Sequence, residues 1–330
     1  MSAYRSRIAG TGSFLPENLI TNKYLETLVD TNDEWIQERT GIKWRHKVKE
    51  GQYTSDLAYE ASIQALQEAQ IKASDLDMIL FATVSPDQVM PNTACVLQSK
   101  LKAGDCMALD ISAACSGFVY ALAIADQFIK TGPMKNILVV GAEVLTPYVN
   151  YKDRDTCILF GDGAGAAVVT RAQDDQDSII YSHHLHADGE ISDLFVLPAG
   201  GSKVPFSQKV LDEEMQYVKM KGREIFKHAV RTMSKCCKEA LEYNGFTPDQ
   251  VDWVIPHQAN VRIIKAVAYH FGISMEKVVV EIEEMGNTSA ATVIIALDKA
   301  IKDGRIKRGQ NILLTAFGAG ITSGSLLMKY

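Results

Sequence analysis

The chain has 330 residues, 47% of them hydrophobic and 22% charged, with a formal net charge of −6. That length supports one large domain or two ordinary ones with a full core, and the composition is that of a soluble globular protein, not a disordered one. The acidic balance argues against nucleic acid as a general partner, so an anionic partner would need a local basic patch.

No apolar run is long enough to cross a bilayer. The opening MSAYRSRIAGTGSFLP lacks the apolar core of a secretory signal, so no membrane partner and a cytoplasmic location are expected. The six cysteines show no CxxC spacing and read as free thiols, mostly small buried residues. Of the vicinal pair Cys236 and Cys237, one is expected to be buried and the other partly exposed.

Helical and strand-like segments alternate along the chain. Thr54 or Ser55 can cap a helix running to about Ile71, with Leu57, Ala61, Ala65, Leu66 and Ala69 on its apolar face. Residues 77–84 (DMILFATV) read as a buried strand. Residues 107–114 form a second strand, followed by a helix from about Cys115 to Ile129, and 136–144 a third. The polar, turn-rich stretch 172–218 reads as a connector and surface loop. Beyond it, 222–244 is helical and 251–257 strand-like. Residues 278–285 are strand-like and lead to a helix ending near Lys302, and 311–320 closes the series. This alternation defines an α/β protein with largely parallel, buried strands.

The two halves align. Lys130-Thr131-Gly132 falls on Lys302-Asp303-Gly304, and the same register carries Cys115 onto Asn287. After a short insertion, Asn136-Ile137-Leu138 meets Asn311-Ile312-Leu313. The expected organisation is therefore a duplication, with residues 1–172 holding the cysteine and 173–330 the histidine and asparagine.

Cys115 sits among small residues in ISAACSGF, between a strand and a helix. Free N–H groups and the positive end of the dipole at a helix N-terminus favour thiolate there. The alternative is a buried structural cysteine. His257, in PHQAN, directly follows an apolar strand, where α/β proteins place reactive groups. Alone it is as readily structural. Asn287, in GNTSAAT, would be a helix cap if it did not superpose on Cys115.

Other signals carry less. Gly161-Asp162-Gly163-Ala164-Gly165 lacks the Gly-Lys-Ser/Thr of a phosphate loop and reads as close packing. His183, His184 and His186 have no carboxylate or cysteine at ligand spacing, and no metal is expected. Arg223, Lys227, Arg231 and Lys235 repeat every four residues on one helix face, a solvated stripe or a docking surface.

Taken together, AACSGF, PHQAN, GNTSAA and FGAG, with TNDEWIQERTGI and LFGDGAGAA, resemble β-ketoacyl-acyl carrier protein synthase III, in register over nearly the whole chain. The resemblance implies a five-layered αβαβα thiolase-like fold and a homodimer. It implies that Cys115 takes an acyl group from acyl-CoA, a substrate and not a cofactor, no cofactor being required. His257 and Asn287 would then hydrogen-bond the malonyl thioester of malonyl-acyl carrier protein as CO2 leaves. The enolate would attack the acyl group and give 3-ketoacyl-acyl carrier protein, initiating fatty acid biosynthesis.

The backbone N–H groups of Cys115 and Ala319 would hold the acyl oxyanion. Ala319 stands where many relatives carry glycine. By the same resemblance Trp35, Arg39, Arg154 and Asn260 contact coenzyme A. Met90 lines the acyl pocket, often across the dimer interface, and Lys227 and Arg262 lie near the carrier-protein entrance.

Rival readings are a condensing enzyme of specialised metabolism or signal synthesis using malonyl-CoA, and a Cys-His-Asn hydrolase. A degradative thiolase needs a second catalytic cysteine near the C-terminus, and none follows Cys237.

Overall fold

A computed structural model describes residues 4–172 and 178–330. The first sheet is formed by β1 (Ser6–Phe14), β2 (Met78–Ala82), β3 (Met107–Ile111), β4 (Asn136–Glu143) and β5 (Gly163–Arg171), in the order β1-β5-β4-β2-β3. The second comprises β6 (Ile179–His186), β7 (Trp253–Pro256), β8 (Asn311–Gly318) and β9 (Thr322–Lys329), in the order β6-β9-β8-β7. Beyond β7, an isolated parallel bridge from Val254 to Val278 occupies the place that β3 holds beside β2. Strand order and direction therefore repeat: β2 is parallel to both β3 and β4, β7 is parallel to β8, and the β1–β5, β5–β4, β8–β9 and β9–β6 ladders are antiparallel.

Strand residues alternate between layers because successive side chains point to opposite faces. Met78, Leu80 and Ala82 face a central layer that includes Phe118, Ile294 and Leu314. Ile79 and Phe81 face the outer helices with Leu57 and Leu97. Leu313 and Leu327 turn the other way, toward Cys237, Leu241 and Ile264. The central layer holds helices Gly117–Thr131 and Ala291–Lys302, sandwiched between the sheets. Helices Thr54–Ala69 and Thr93–Leu101 cover one outer face, and Gly222–Asn244 and Val261–Phe271 the other. The result is the αβαβα sandwich. No helix among the described residues is long and apolar enough to cross a membrane.

Several expectations need correction. Tyr53, not Thr54 or Ser55, is the N-cap of the first long helix, its N–H donating to Asp56 Oδ2 at 2.8 Å while the Thr54 hydroxyl donates to the Ser85 carbonyl. Residues 278–285 form one bridge and a helical turn, Ile282–Met285, because the segment drops below the sheet toward Asn287. The stretch 172–218 hides β6, which pairs with β9; its residues 173–177 lie outside the described part. Three histidines in β6 disguised a strand whose side chains pair with other elements, His186 with Glu239 at 2.6 Å and His183 with Asp126 at 3.4 Å. Cys236 and Cys237 are both fully buried, because the long helix lies flat on the second sheet and each thiol meets a strand hydroxyl. Gly163 and Gly165 belong to β5, where a Cβ on Gly165 would lie 2.4 Å from Ile294 of the central helix. Close packing is their role.

Candidate active site

Three chain reversals deliver the predicted residues to one place. After β3, Ala114 adopts φ 47° and Cys115 sits in a tight turn that opens the Gly117–Thr131 helix. In the other half, Gly286 adopts φ 66° immediately before Asn287. The register that superposes Cys115 on Asn287 thus also superposes two left-handed residues, one of them a non-glycine held there by its surroundings. His257 follows β7, and its N–H donates to the Thr315 carbonyl of β8 at 2.8 Å.

Cys115, His257 and Asn287 are 5%, 3% and 5% exposed and line one cavity of about 1060 Å³. Trp35, Arg39, Arg154, Asn260, Lys227 and Arg262 line the same cavity, the five charged and aromatic ones reaching toward solvent. Its volume exceeds what a small substrate needs and suits a long thioester arm.

Each buried side chain is set by a neighbour. Asn287 Oδ1 accepts the Ser289 N–H at 2.9 Å, which leaves the carboxamide NH2 as the donor available to the cavity. His257 Nδ1 lies 2.6 Å from Thr292 Oγ1, which is 3.0 Å from the Ser289 carbonyl. One hydroxyl hydrogen serves two acceptors. Turned toward Nδ1, it leaves the imidazole hydrogen on Nε2; turned toward Ser289, it leaves Nε2 as an acceptor. Burial drives the His257 pKa down to about 3, so the ring is neutral.

The thiol behaves differently from the expectation of a helix-stabilised thiolate. Burial pushes Cys115 up to about 12, and the Glu143 charge adds to this, while the Ser289 hydroxyl opposes it. Desolvation outweighs the helix terminus at this buried position. Deprotonation must accompany attack.

Gly318 ends β8 in the cavity wall, and a Cβ there would lie 2.6 Å from the Cys115 nitrogen. That position must be glycine for Cys115 N–H to remain open. Ala319 follows, with the left-handed angles falling on Gly320 and Ile321 instead, so alanine is unstrained. Arg154 stands 4.9 Å and Arg39 5.5 Å from the centre of the Trp35 ring. Asn260 Oδ1 caps the Val261–Phe271 helix by accepting the Arg262 N–H at 2.8 Å. Met90 does not line this cavity; it stands 84% exposed beside Val89, also 84%.

Sequence reasoning passed over Thr292, Ser289, Gly318 and Glu143. The first three lie within or beside quoted motifs. Glu143 gave none, since a carboxylate ending an apolar strand reads as a surface residue.

A thiol, a neutral imidazole and an amide donor converging on the αβαβα sandwich define an acyl-transferring condensing enzyme of the thiolase fold. Family profiles for 3-oxoacyl-[acyl-carrier-protein (ACP)] synthase III match residues 109–189, and for its C-terminal part 241–330. The β-ketoacyl-[acyl-carrier-protein] synthase III of Xylella fastidiosa is 50% identical over 325 residues, 98% of each chain. The crystal structure of 3-oxoacyl-[acyl-carrier-protein] synthase III from Aquifex aeolicus superposes with a TM-score of 0.91 at 49% identity, covering 98% of this chain and 100% of that one. A priming β-ketosynthase of a polyketide biosynthetic pathway superposes at 0.90 with 30% identity, covering 100% of this chain and 98% of the other. The chain belongs to the β-ketoacyl-acyl carrier protein synthase III family.

Proposed function

We propose that the chain joins an acyl-CoA starter to malonyl-acyl carrier protein by decarboxylative Claisen condensation, initiating fatty acid synthesis. The observation that carries this reading is the convergence of buried Cys115 with two uncharged donors in one cavity. Cys115 attacks the acyl-CoA carbonyl, the oxyanion is met by the N–H groups of Cys115 and Ala319, and CoA leaves. Malonyl thioester then enters, and loss of CO2 generates the carbanion without a strong base. Neutral donors at the enolate oxygen are what such a step needs. Asn287 supplies an N–H, and His257 supplies one from Nε2 when Thr292 gives its hydrogen to Nδ1. No cofactor enters this chemistry.

Trp35 and Arg154 form a flat slot for the adenine, with Arg39 beside it and Asn260 deeper in the wall. Lys227 and Arg262, both exposed at the mouth, meet the acidic carrier protein. A homodimer is supported by two unpartnered apolar features: β3 ends its sheet with Met107 44% exposed, and Val89 and Met90 project into solvent. In this reading Met90 completes the acyl pocket of a second copy. The two halves meet between residues 172 and 173, and free thiols fit a cytoplasmic setting. The likeness to the polyketide priming enzyme favours one second reading, the same chemistry in a specialised pathway.

The deciding experiment incubates the purified enzyme with a panel of acyl-CoAs and with malonate on acyl carrier protein or CoA. Acylation of Cys115 is read by intact mass and product by chromatography. Condensation with malonyl-CoA alone would move the enzyme to the second reading. An enzyme never acylated at Cys115 would remove both.

A further inference from the structure

With Oδ1 fixed on the Ser289 N–H at 2.9 Å, the Asn287 carboxamide goes where its own backbone goes. That backbone is held by a strap from the other half of the chain, residues 158–161. The Asn287 N–H donates to the Leu159 carbonyl at 2.9 Å, and the Gly161 N–H donates to the Asn287 carbonyl at 3.1 Å. A parallel bridge joins Phe160 to Asn287 between these two bonds. Ile158, Leu159 and Phe160 also line the active-site cavity.

The strap is held from behind by Arg45, on the short strand Trp44–Lys47 that pairs with Asn18–Thr21. Arg45 is 0% exposed, and among the described residues no carboxylate forms an ion pair with it. Its fork is occupied by neutral acceptors instead. Nε donates to the Ile158 carbonyl at 3.0 Å, Nη2 donates to the same carbonyl, and Nη1 donates to Asn22 Oδ1 at 2.5 Å. Asn22 is anchored in turn, its Nδ2 donating to Asp33 Oδ1 at 2.7 Å and to the Ile42 carbonyl at 2.8 Å. The aliphatic stem of Arg45 lies against both ends of the assembly. A Cβ on Gly161 would stand 3.1 Å from Arg45 Cβ, and one on Gly286 2.9 Å from Arg45 Cγ. Gly286 is the residue immediately before Asn287. Burial lowers the Arg45 pKa to about 10, which still leaves it charged at neutral pH. A buried charge without a counter-ion is costly, and only the rigid guanidinium fork grips one carbonyl twice while reaching a third acceptor.

We infer that Arg45 is a positioning residue for the condensation step: it clamps the 158–161 strap and Gly286, and through them fixes the carboxamide of Asn287. The inference rests on the reading of Asn287 as a donor to the malonyl thioester. Cys115 is set by a different turn, the one after β3, and none of the Arg45 hydrogen bonds reaches it. Arg45 therefore governs one half-reaction and not the other.

The test is Arg45→Met, which keeps the stem and removes the fork, with Arg45→Lys, which keeps the charge, beside it. Each is also combined with Asn287→Ala. Folding is checked by circular dichroism and thermal midpoint. Acylation of Cys115 is followed by rapid-quench mass spectrometry at saturating acyl-CoA, so that any shift of Arg154 shows in KM alone. CO2 release from carrier-borne malonate is followed on the acylated enzyme. Arg45→Met is expected to acylate at the wild-type rate and to release CO2 roughly 100-fold more slowly, the scale of a reacting group misplaced by a distant change. Arg45→Lys loses less, since one of the three bonds can re-form. In the Asn287→Ala background neither substitution adds a further loss, because the donor it places is gone. A residue that merely stabilises the fold would slow both steps and add its loss to that of Asn287→Ala. That pattern overturns the inference, as does wild-type CO2 release by either folded variant. Should methionine not fold, the lysine variant decides by the same cycle. Asn287→Ala enzyme that still releases CO2 at the wild-type rate would instead sink the donor reading, a separable result.

Discussion

The two halves are built on the same fastenings and end in different chemistry. At the start of β4, Asn136 N–H donates to Asp77 Oδ2 at 2.9 Å and its side chain donates to the Asp75 carbonyl at 2.9 Å. At the start of β8, Asn311 N–H donates to Asp252 Oδ2 at 2.7 Å and its side chain to the Gln250 carbonyl at 3.0 Å. Each central helix carries a fully buried aspartate bridged to the lysine one turn on, Asp126 with Lys130 and Asp298 with Lys302, both at 2.8 Å. Each aspartate also accepts hydroxyl hydrogen bonds from β1, Ser6 to Asp126 and Thr11 and Ser13 to Asp298. The divergence that bears on chemistry lies at the carboxyl ends of the strands and the turns that follow, where an α/β sheet presents groups to a ligand. There Cys115 faces Asn287, and Glu143 at the end of β4 answers to Gly318 at the end of β8. One exit is filled by a buried carboxylate; the other is kept empty. Shared residues hold the sandwich and unshared ones carry the reaction.

The sharpest way to break that division is at the paired turns. Cys115→Ala is expected to abolish acyl-enzyme formation and condensation altogether, with no added acyl mass on the protein. Asn287→Ala and His257→Ala should keep acylation and lose condensation by roughly 10²–10³, about 2.7–4 kcal/mol for each donor removed. Burst acylation measured beside CO2 release separates the two steps. If either variant lost acylation while still releasing CO2 from malonate, the roles of the two halves would be exchanged.

Gly318→Ala tests the empty exit. A methyl 2.6 Å from the Cys115 nitrogen crowds the oxyanion donor, and acylation should slow by up to about 10² while acyl-CoA binding changes little. Unchanged acylation would leave the close approach a packing feature only. Smaller still is the paired reversal Lys227→Glu with Arg262→Glu, expected to raise KM for carrier-borne malonate about tenfold at low salt and little at high salt. Steady-state assays at two ionic strengths measure it. The last expected effect is no effect. Because burial holds the His257 pKa near 3, malonyl decarboxylation should show no histidine limb between pH 5 and 8. A limb near 6.5 in the pH–rate profile would mean that the cavity admits water around the ring.

Much of this was legible in the chain. The 222–244 helix was read to its ends, because apolar residues recur along it at helical spacing and Gly245 closes it in a left-handed cap. The segment 278–285 misled because Val278, Val279 and Val280 have strand propensity, while the sheet gives them one bridge and the need to reach Asn287 takes the chain away. β6 was missed for the opposite reason: its histidines and serine look polar, and their partners, Glu239 and Asp126, lie on other elements. Cys115 and His257 were legible because their motifs stand at strand exits, and Asn287 because the duplication superposes it on Cys115.

The sequence by itself determined the alternation of helices and strands, the duplication that pairs Cys115 with Asn287, and the motifs that mark the family. These depend on side-chain type and spacing, which are local. Tertiary structure alone decided that the thiol is protonated, that the imidazole is neutral with Thr292 at its back, and that Glu143 is fully buried with its hydrogen bonds on one oxygen. Each of these depends on which groups distant in the chain exclude water from one another, and desolvation is a property of the assembled surroundings that no single stretch of residues contains.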